Sequence, residues 1–337
     1  MVTIAVASYN NFSFLDRCLS SCLSQTFKDI EVLLVDDGST DDTKSLLEKY
    51  DSNSKIRIIC KENGGLSSSR QMALEKARGE YICFIDGDDF LDLRYVSELY
   101  DSITKNNADI CACNVKFFKE NGDTVMPPFY FANLTDTASV LIKHESLQKK
   151  YLDYISFYTM YDSWNKMYRV KFLRDNGLFF KLSKGYNGSD LLFNHKILMH
   201  EPSICTCSYI GYNHVLYENS ATGRKNKKMQ EGNEEIITSL FDESEKLKIN
   251  NLLFEQLSSL YFKLLRNAFQ DGLNSYGYEK ETIKNMIYKS KVFEQKHHIR
   301  RRIKLKGYWQ LKLFVRIKNL PYILLLYFKF RQGRYIA

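Results

Sequence analysis

The chain of 337 residues is 44% hydrophobic and 26% charged, with a formal net charge of +8. Such a composition excludes a disordered chain and leaves room for one large domain or two smaller ones. The opening MVTIAVASYNN lacks a basic segment ahead of its short apolar run, so no signal peptide is expected. The longest late apolar run, LPYILLLYF at 320–328, is about half the ~20 residues that a membrane-spanning helix needs.

Two hydrophobic periods alternate over the first 118 residues. VTIAVA (2–7) reads as a buried strand, and Phe14, Leu15, Cys18, Leu19, Cys22 and Leu23 then form one side of a helix. EVLLV (31–35) is a second strand, followed by a helix starting near the capping residues Ser39 or Thr40. KIRIIC (55–60) is a third, and the turn NGGLSSSR leads into a helix ending near Arg78. YICFI (81–85) is a fourth, a helix over roughly 92–105 follows, and ADICACNVKFF (108–118) is a fifth. Continuous apolar strands alternating with helices predict an α/β fold, with a parallel sheet covered on both faces. Residues 119–225 are less regular and rich in aromatics. From about 231 the pattern turns helical, with Leu253, Leu257, Leu260 and Leu264 on one stripe. The expected division is therefore a catalytic domain over 1–225, with halves at 1–118 and 119–225, and a helical, basic region over 226–337.

None of the eight cysteines forms a CxxC pair, so a zinc site is not expected, and they read as small buried hydrophobes in a reducing cytosol. The charge is unevenly spread. Residues 296–337 hold twelve Lys and Arg and no acidic residue, so taking them from the net +8 leaves −4 for residues 1–295. That tail calls for an anionic partner.

In open α/β sheets ligands bind at the carboxyl ends of the strands. Here those ends carry SYNN, DDGS, ENGGLSSSR and DGDD. Each Asp/Gly cluster alone is an ordinary turn. Two clusters on neighbouring strands repel one another unless a cation or hydrogen-bond donors lie between them, and an all-oxygen set suits Mg²⁺ or Mn²⁺ shared with a phosphate. Neither a Walker lysine nor a GxGxxG fingerprint is present, which points to a nucleoside diphosphate held through a metal.

The ordered set VASYNNFSFLDRCLSSCLSQTFKDIEVLLVDDGSTDDT, KENGGLSSSRQMAL, ARGEYICFIDGDDF, SWNKMYRVKFL and GSDLLFNHKIL resembles the family-2 inverting glycosyltransferases with the GT-A fold, over about residues 2–220. The resemblance implies a Rossmann-like, mostly parallel sheet with flanking helices, a UDP-sugar donor and Mn²⁺ (or Mg²⁺). It implies that Asp37 accepts the uracil N3–H between Tyr9 and Ala7. It makes Asp86 and Asp88 the DxD pair, with Asp88 on the metal and Asp86 on the ribose or metal, and the glycine between them leaving room for the diphosphate. Asp89 is expected to support that loop or the sugar. Arg70 either adds charge near the phosphates or is an exposed helix residue. Asp190 matches the family's base, against the alternative of a helix cap. Trp164, Asn165 and Lys166 match a segment lining the donor and acceptor cleft, although a Trp in such a run is also a common core residue. His214 is either a further metal ligand or a hydrogen-bonded histidine.

Three departures stand out: Ala7 for the usual Pro or Thr, Ser189 for an acidic residue before the base, and Gln71-Met72 after Arg70. The QxxRW motif of processive synthases is absent, so transfer of a single sugar is expected. The acceptor implied is a glycan, lipid-linked, in capsule or envelope polysaccharide synthesis. Residues 299–334 interleave apolar and basic residues as interfacial helices do, which favours peripheral attachment to the anionic inner face of the plasma membrane over packing on the domain. Nucleic acid is not expected as a partner, for want of a recognition motif, and homo-oligomer formation stays open. A non-catalytic nucleotide-sugar-binding protein of the same fold is the alternative reading.

Overall fold

The computed structural model describes residues 1–125, 134, 136–141, 162–181, 188–217 and 229–248. The described compact unit comprises Met1–Lys248; the expected division at 225 and the basic tail lie outside the described residues.

Three strands, β1 (Val2–Ser8), β2 (Ile30–Asp36) and β4 (Tyr81–Asp86), form the centre of the sheet and are buried almost throughout. Burial on both faces explains why their sequences are continuous apolar runs without alternation. Strand β3 (Ile56–Cys60) completes one parallel side, in the order β3-β2-β1-β4. Helix α1 (Phe12–Leu23) buries Leu15, Cys18, Leu19 and Cys22, the stripe its 3.6-residue period predicts. Helix α2 (Thr43–Glu48) starts later than Ser39 or Thr40. Ser39 is instead bonded to the Asp36 carboxylate, and the Thr40 N–H donates to Asn10 Oδ1, so residues before the helix are fixed as a loop. Helices α3 (Leu66–Lys76) and α4 (Tyr95–Lys105) follow the third and fourth strands.

Beyond β4 the sheet departs from the parallel expectation. Strand β6 (Ile110–Lys119) does not pair with β4, because the short β9 (Lys166–Arg169) is inserted between them, antiparallel to both. Strand β10 (Ser203–Leu216) then runs parallel to β6 and pairs with the two-residue β5 (Phe90–Leu91). Two further strands, β7 (Thr124–Val125) and β8 (Thr137–Leu141), pair with β6 and β10. The result is one mixed ten-stranded sheet. Short helix α5 (Val170–Asp175) follows β9, α6 (Ser189–Met199) precedes β10, and α7 (Met229–Leu247) packs on α6. Phe84 of β4, Phe180 and Phe193 of α6 form an aromatic cluster under the sheet, the last two stacked at 3.9 Å. Seven of the eight cysteines are buried thiols and only Cys60 is exposed, as their reading as small core residues requires. No helix among the described residues is long and apolar enough to cross a membrane.

Candidate active site

The register sets the site. Ser8 lies opposite Asp36 and Ala7 opposite Asp86, so β1, β2 and β4 end together and deliver both acidic loops to one edge. The Gly87 N–H donates to the Ala7 carbonyl at 3.1 Å, tying the DGDD loop to the end of β1. A Cβ at Gly87 would stand 2.7 Å from Asn11 Nδ2. The absent side chain at Gly87 thus leaves the space that Asn11 and the Ala7 carbonyl approach.

Asp36 is fully buried and bonded to Ser39. Its neighbour Asp37 is also buried, and accepts the Gly64 N–H at 2.9 Å, the Gly65 N–H at 2.7 Å and an ion pair from Lys61. Burial opposes its ionisation, but those two N–H groups and the ammonium outweigh it and hold the carboxyl below its usual range. One acceptor position on Oδ2 stays open, enough for a single imide N–H. Tyr9, 47% exposed, and Ala7 flank the same loop from the end of β1.

Arg70 is the centre of the arrangement. The side chain is 2% exposed, which excludes the exposed-helix alternative. One guanidinium nitrogen is 2.5 Å from Asp86 Oδ1 and the other is paired with Asp190 Oδ1. Burial alone would favour losing its proton, but the carboxylates of Asp190 and Asp86 raise its pKa instead. A planar two-pronged cation can span two acids as an ammonium cannot. Arg70 thus links the loop after β4 to the start of α6, 120 residues further on.

Asp190 sits in the first turn of α6 but does not cap it; the cap position is Gly188, at φ +99°, and no side chain bonds the helix end. Its second oxygen accepts the Ser163 N–H at 2.9 Å, and Ser189 Oγ lies 3.2 Å from the first. Both oxygens are thereby fixed in direction.

Asp88 is partly buried, and among the described residues no side-chain donor reaches its carboxylate. Burial first, then the charges of Asp89 and Asp86, push it up to about 7. A folded-state value above the ordinary 3.8 means that ionising Asp88 weakens the fold. That stability is fully present below about pH 4 and lost as the pH rises through 7. Asp88→Asn is accordingly expected to raise Tm by roughly 2–4 °C at pH 8 in the presence of EDTA, about 1 kcal/mol in a domain of this size, and by much less at pH 5. Equal gains in calorimetry at both pH values would remove the carboxylate as their source.

Asp89, expected to support the loop or touch the sugar, is fully buried and does the former. It accepts the Tyr212 hydroxyl at 2.7 Å, His214 Nδ1 at 2.8 Å and the Val215 N–H at 2.9 Å, fastening the DGDD loop to β10. Burial would depress the His214 imidazole, but its bond to Asp89 prevails and raises it to about 9. The ring would have to release that proton before serving as a metal ligand.

Trp164, Asn165 and Lys166, expected to line the donor and acceptor cleft, are all buried. Trp164 is 8% exposed and stacks on His214 at 5.0 Å and on Tyr212 at 4.9 Å. Asn165 takes φ +58° and donates to the Cys113 carbonyl at 2.8 Å. Lys166 is fully buried. Aromatic stacking and buried hydrogen bonds engage all three side chains.

Sequence reasoning missed Arg17, Tyr212, Asn194 and Ser163. Exposed Arg17 donates to the Asp88 carbonyl at 2.7 Å and lies 4.7 Å over the Phe90 ring. Tyr212 bonds Asp89 and lies 3.4 Å from the Asp86 N–H. Ser163 acts through its backbone, for which no sequence signal exists.

Among the described residues no group of three or more His, Cys, Asp or Glu stands ready to enclose a metal ion. The donor chemistry nonetheless fits a hard cation shared with phosphate oxygens, with Asp88 uncompensated and Asp86 keeping one oxygen outside its Arg70 bond.

Carboxylates at the ends of β2 and β4, and a fixed acid bridged to Asp86 by Arg70, define an α/β domain built for group transfer. The sequence model described as Glycosyl transferase family 2 matches residues 3–176, and the chain belongs to that family. It is 36% identical over 186 residues to the "uncharacterized glycosyltransferase EpsJ" of Bacillus subtilis, covering 53% of this chain and 51% of EpsJ. It is 28% identical over 203 residues to glycosyltransferase GlyA of Streptococcus pneumoniae, covering 59% of this chain and 28% of GlyA. The matches thus span about half or less of these relatives' lengths. The fold is that of S. aureus TarS 1–349 in its crystal structure with UDP, at TM-score 0.65 and 21% identity, over 85% of this chain and 78% of that one. The architecture is therefore GT-A, a mixed sheet with flanking helices.

Proposed function

We propose that the protein is an inverting glycosyltransferase that moves one sugar from a UDP-sugar to a glycan acceptor. The observation that carries this reading is the Arg70 bridge, which brings Asp86 of the DGDD loop and Asp190 of α6 to one cation. Crystal structures of TarS with UDP and with UDP-GlcNAc support the same class of donor. In this reading Asp37, Tyr9 and Ala7 hold the base, and Asp86 and Asp88 face the diphosphate. Asp190, opposite the leaving group, takes the acceptor hydroxyl proton as that oxygen bonds to the anomeric carbon and the carbon–phosphate oxygen bond breaks. Mn²⁺ or Mg²⁺, held by Asp88 and Asp86, would supply Lewis-acid stabilisation of the UDP leaving group. The basic pattern of 299–334 supports a lipid-linked acceptor at the inner membrane face, in envelope or capsule polysaccharide synthesis.

The test is a panel of UDP-sugars with Mn²⁺, read as UDP release in the presence of candidate acceptors. Turnover with at least one sugar, abolished by EDTA, is expected. Binding of UDP without turnover of any sugar would favour the non-catalytic reading, and no binding at all would end both.

A further inference from the structure

Lys166 is a lysine with no exposed surface, yet it does not pair directly with a carboxylate side chain. Its ammonium donates to the Asp162 carbonyl at 2.6 Å, to Asn165 Oδ1 at 2.7 Å and to the Trp164 carbonyl at 3.3 Å. All three acceptors belong to the bend immediately before β9. Desolvation lowers its pKa to about 8, with Asp162 nearby opposing the loss of charge. Burying an ammonium costs several kcal/mol unless its donors are satisfied, so a residue placed there is kept for what it holds.

What it holds is the bend 162–165. Asn194, also fully buried, donates from Nδ2 to the same Asp162 carbonyl at 3.0 Å, and its Oδ1 accepts the Tyr168 hydroxyl at 3.0 Å. The Asp162 carbonyl is thus gripped from β9 by Lys166 and from α6 by Asn194. The next residue is Ser163, whose N–H is directed at Asp190 Oδ2. Asn194 lies one helical turn beyond Asp190 on α6, so the helix that carries the acid also anchors the loop that orients it.

We infer that Lys166 and Asn194 are positioning residues for Asp190: by clamping the Asp162 carbonyl they aim the Ser163 N–H at Oδ2, and so fix the carboxylate's direction toward the acceptor hydroxyl. The inference rests on the proposed role of Asp190 as the base. Arg70 fixes the first oxygen by charge, and the clamp fixes the second by a backbone donor. Small losses of alignment are costly, since a misplacement of about 1 Å can lower turnover on the order of 100-fold.

The experiment compares Lys166→Met, Asn194→Ala and the double variant in the full chain, with Asp190→Asn alongside. Rates are referred to protein competent to bind UDP, so unfolded material does not count. Each single variant is expected to lower kcat about 10- to 100-fold with unchanged donor KM and unchanged UDP affinity. The double variant should lose little more than the worse single one, because both act through one carbonyl. The proposal is overturned if either folded variant keeps the parent kcat, if donor KM rises and UDP affinity falls along with kcat, or if the two losses multiply. Should one variant not fold, the kcat-against-KM split in the other decides. If Asp190→Asn itself retains activity, the base assignment fails and the clamp's role with it. If Asp190→Asn is inactive while both clamp variants match the parent, only the clamp is refuted.

Discussion

Asp190→Asn is expected to lower kcat for sugar transfer about 10²–10⁴-fold while leaving UDP affinity unchanged. The amide keeps an oxygen for the Ser163 N–H and nearly the same volume, but it cannot accept the acceptor's proton. Arg70 retains Asp86 as a charge partner, so the substitution leaves the buried guanidinium paired. In the proposed reading the nucleotide contacts lie on other residues, in the loops after β1, β2 and β4, which end at one edge of the sheet. Initial rates combined with calorimetric titration of UDP separate the two effects. Equal loss of both would make Asp190 a structural residue.

Arg70→Met is expected to be the most damaging substitution for stability. It leaves Asp86 and Asp190 without the buried cation between them, beside an Asp88 already raised by burial and by its acidic neighbours. Breaking a buried charge pair costs about 3–5 kcal/mol, which in a domain of this size lowers Tm by roughly 10 °C. Calorimetry at neutral pH, where both carboxylates would face each other without a cation, reads that loss. Arg70→Lys should fall between the parent and Met, because a single ammonium reaches one carboxylate well and two poorly. A Met variant melting within about 1 °C of the parent would show that the bridge carries no stability.

The strand–helix alternation of the first half was legible because β1, β2 and β4 are buried almost throughout and helices α1 and α4 each present one apolar stripe. The acidic loops were legible too, since the ends of β1, β2 and β4 follow directly from where the apolar runs stop. Two things were hidden. Strand β9 is only four residues long and sits in an aromatic-rich stretch, where neither period can declare itself. Its place between β4 and β6 depends on contacts made across more than 80 residues of chain. The second hidden layer is the polar support of the site. Lys166, Asn165 and Asp89 belong to residue types that are normally exposed, so nothing in the sequence alone marks them as buried. Only their buried hydrogen-bond partners, some in the adjoining bend and some on distant strands, show that they are part of the interior.

The insertion of β9 also governs the order in which the chain can become a protein. As the N-terminal half leaves the ribosome, β4 is paired on one side only, by β1, and its other edge presents free backbone donors and acceptors. That edge is closed only after residues 166–169 have been made, and β6 gains its partner β10 later still. An open central edge invites pairing with another nascent chain. Synthesis of the first 118 residues therefore yields a half-sheet that holds both acidic loops while one edge of β4 is still open. The same four-residue strand that carries Lys166 into the interior is what seals it.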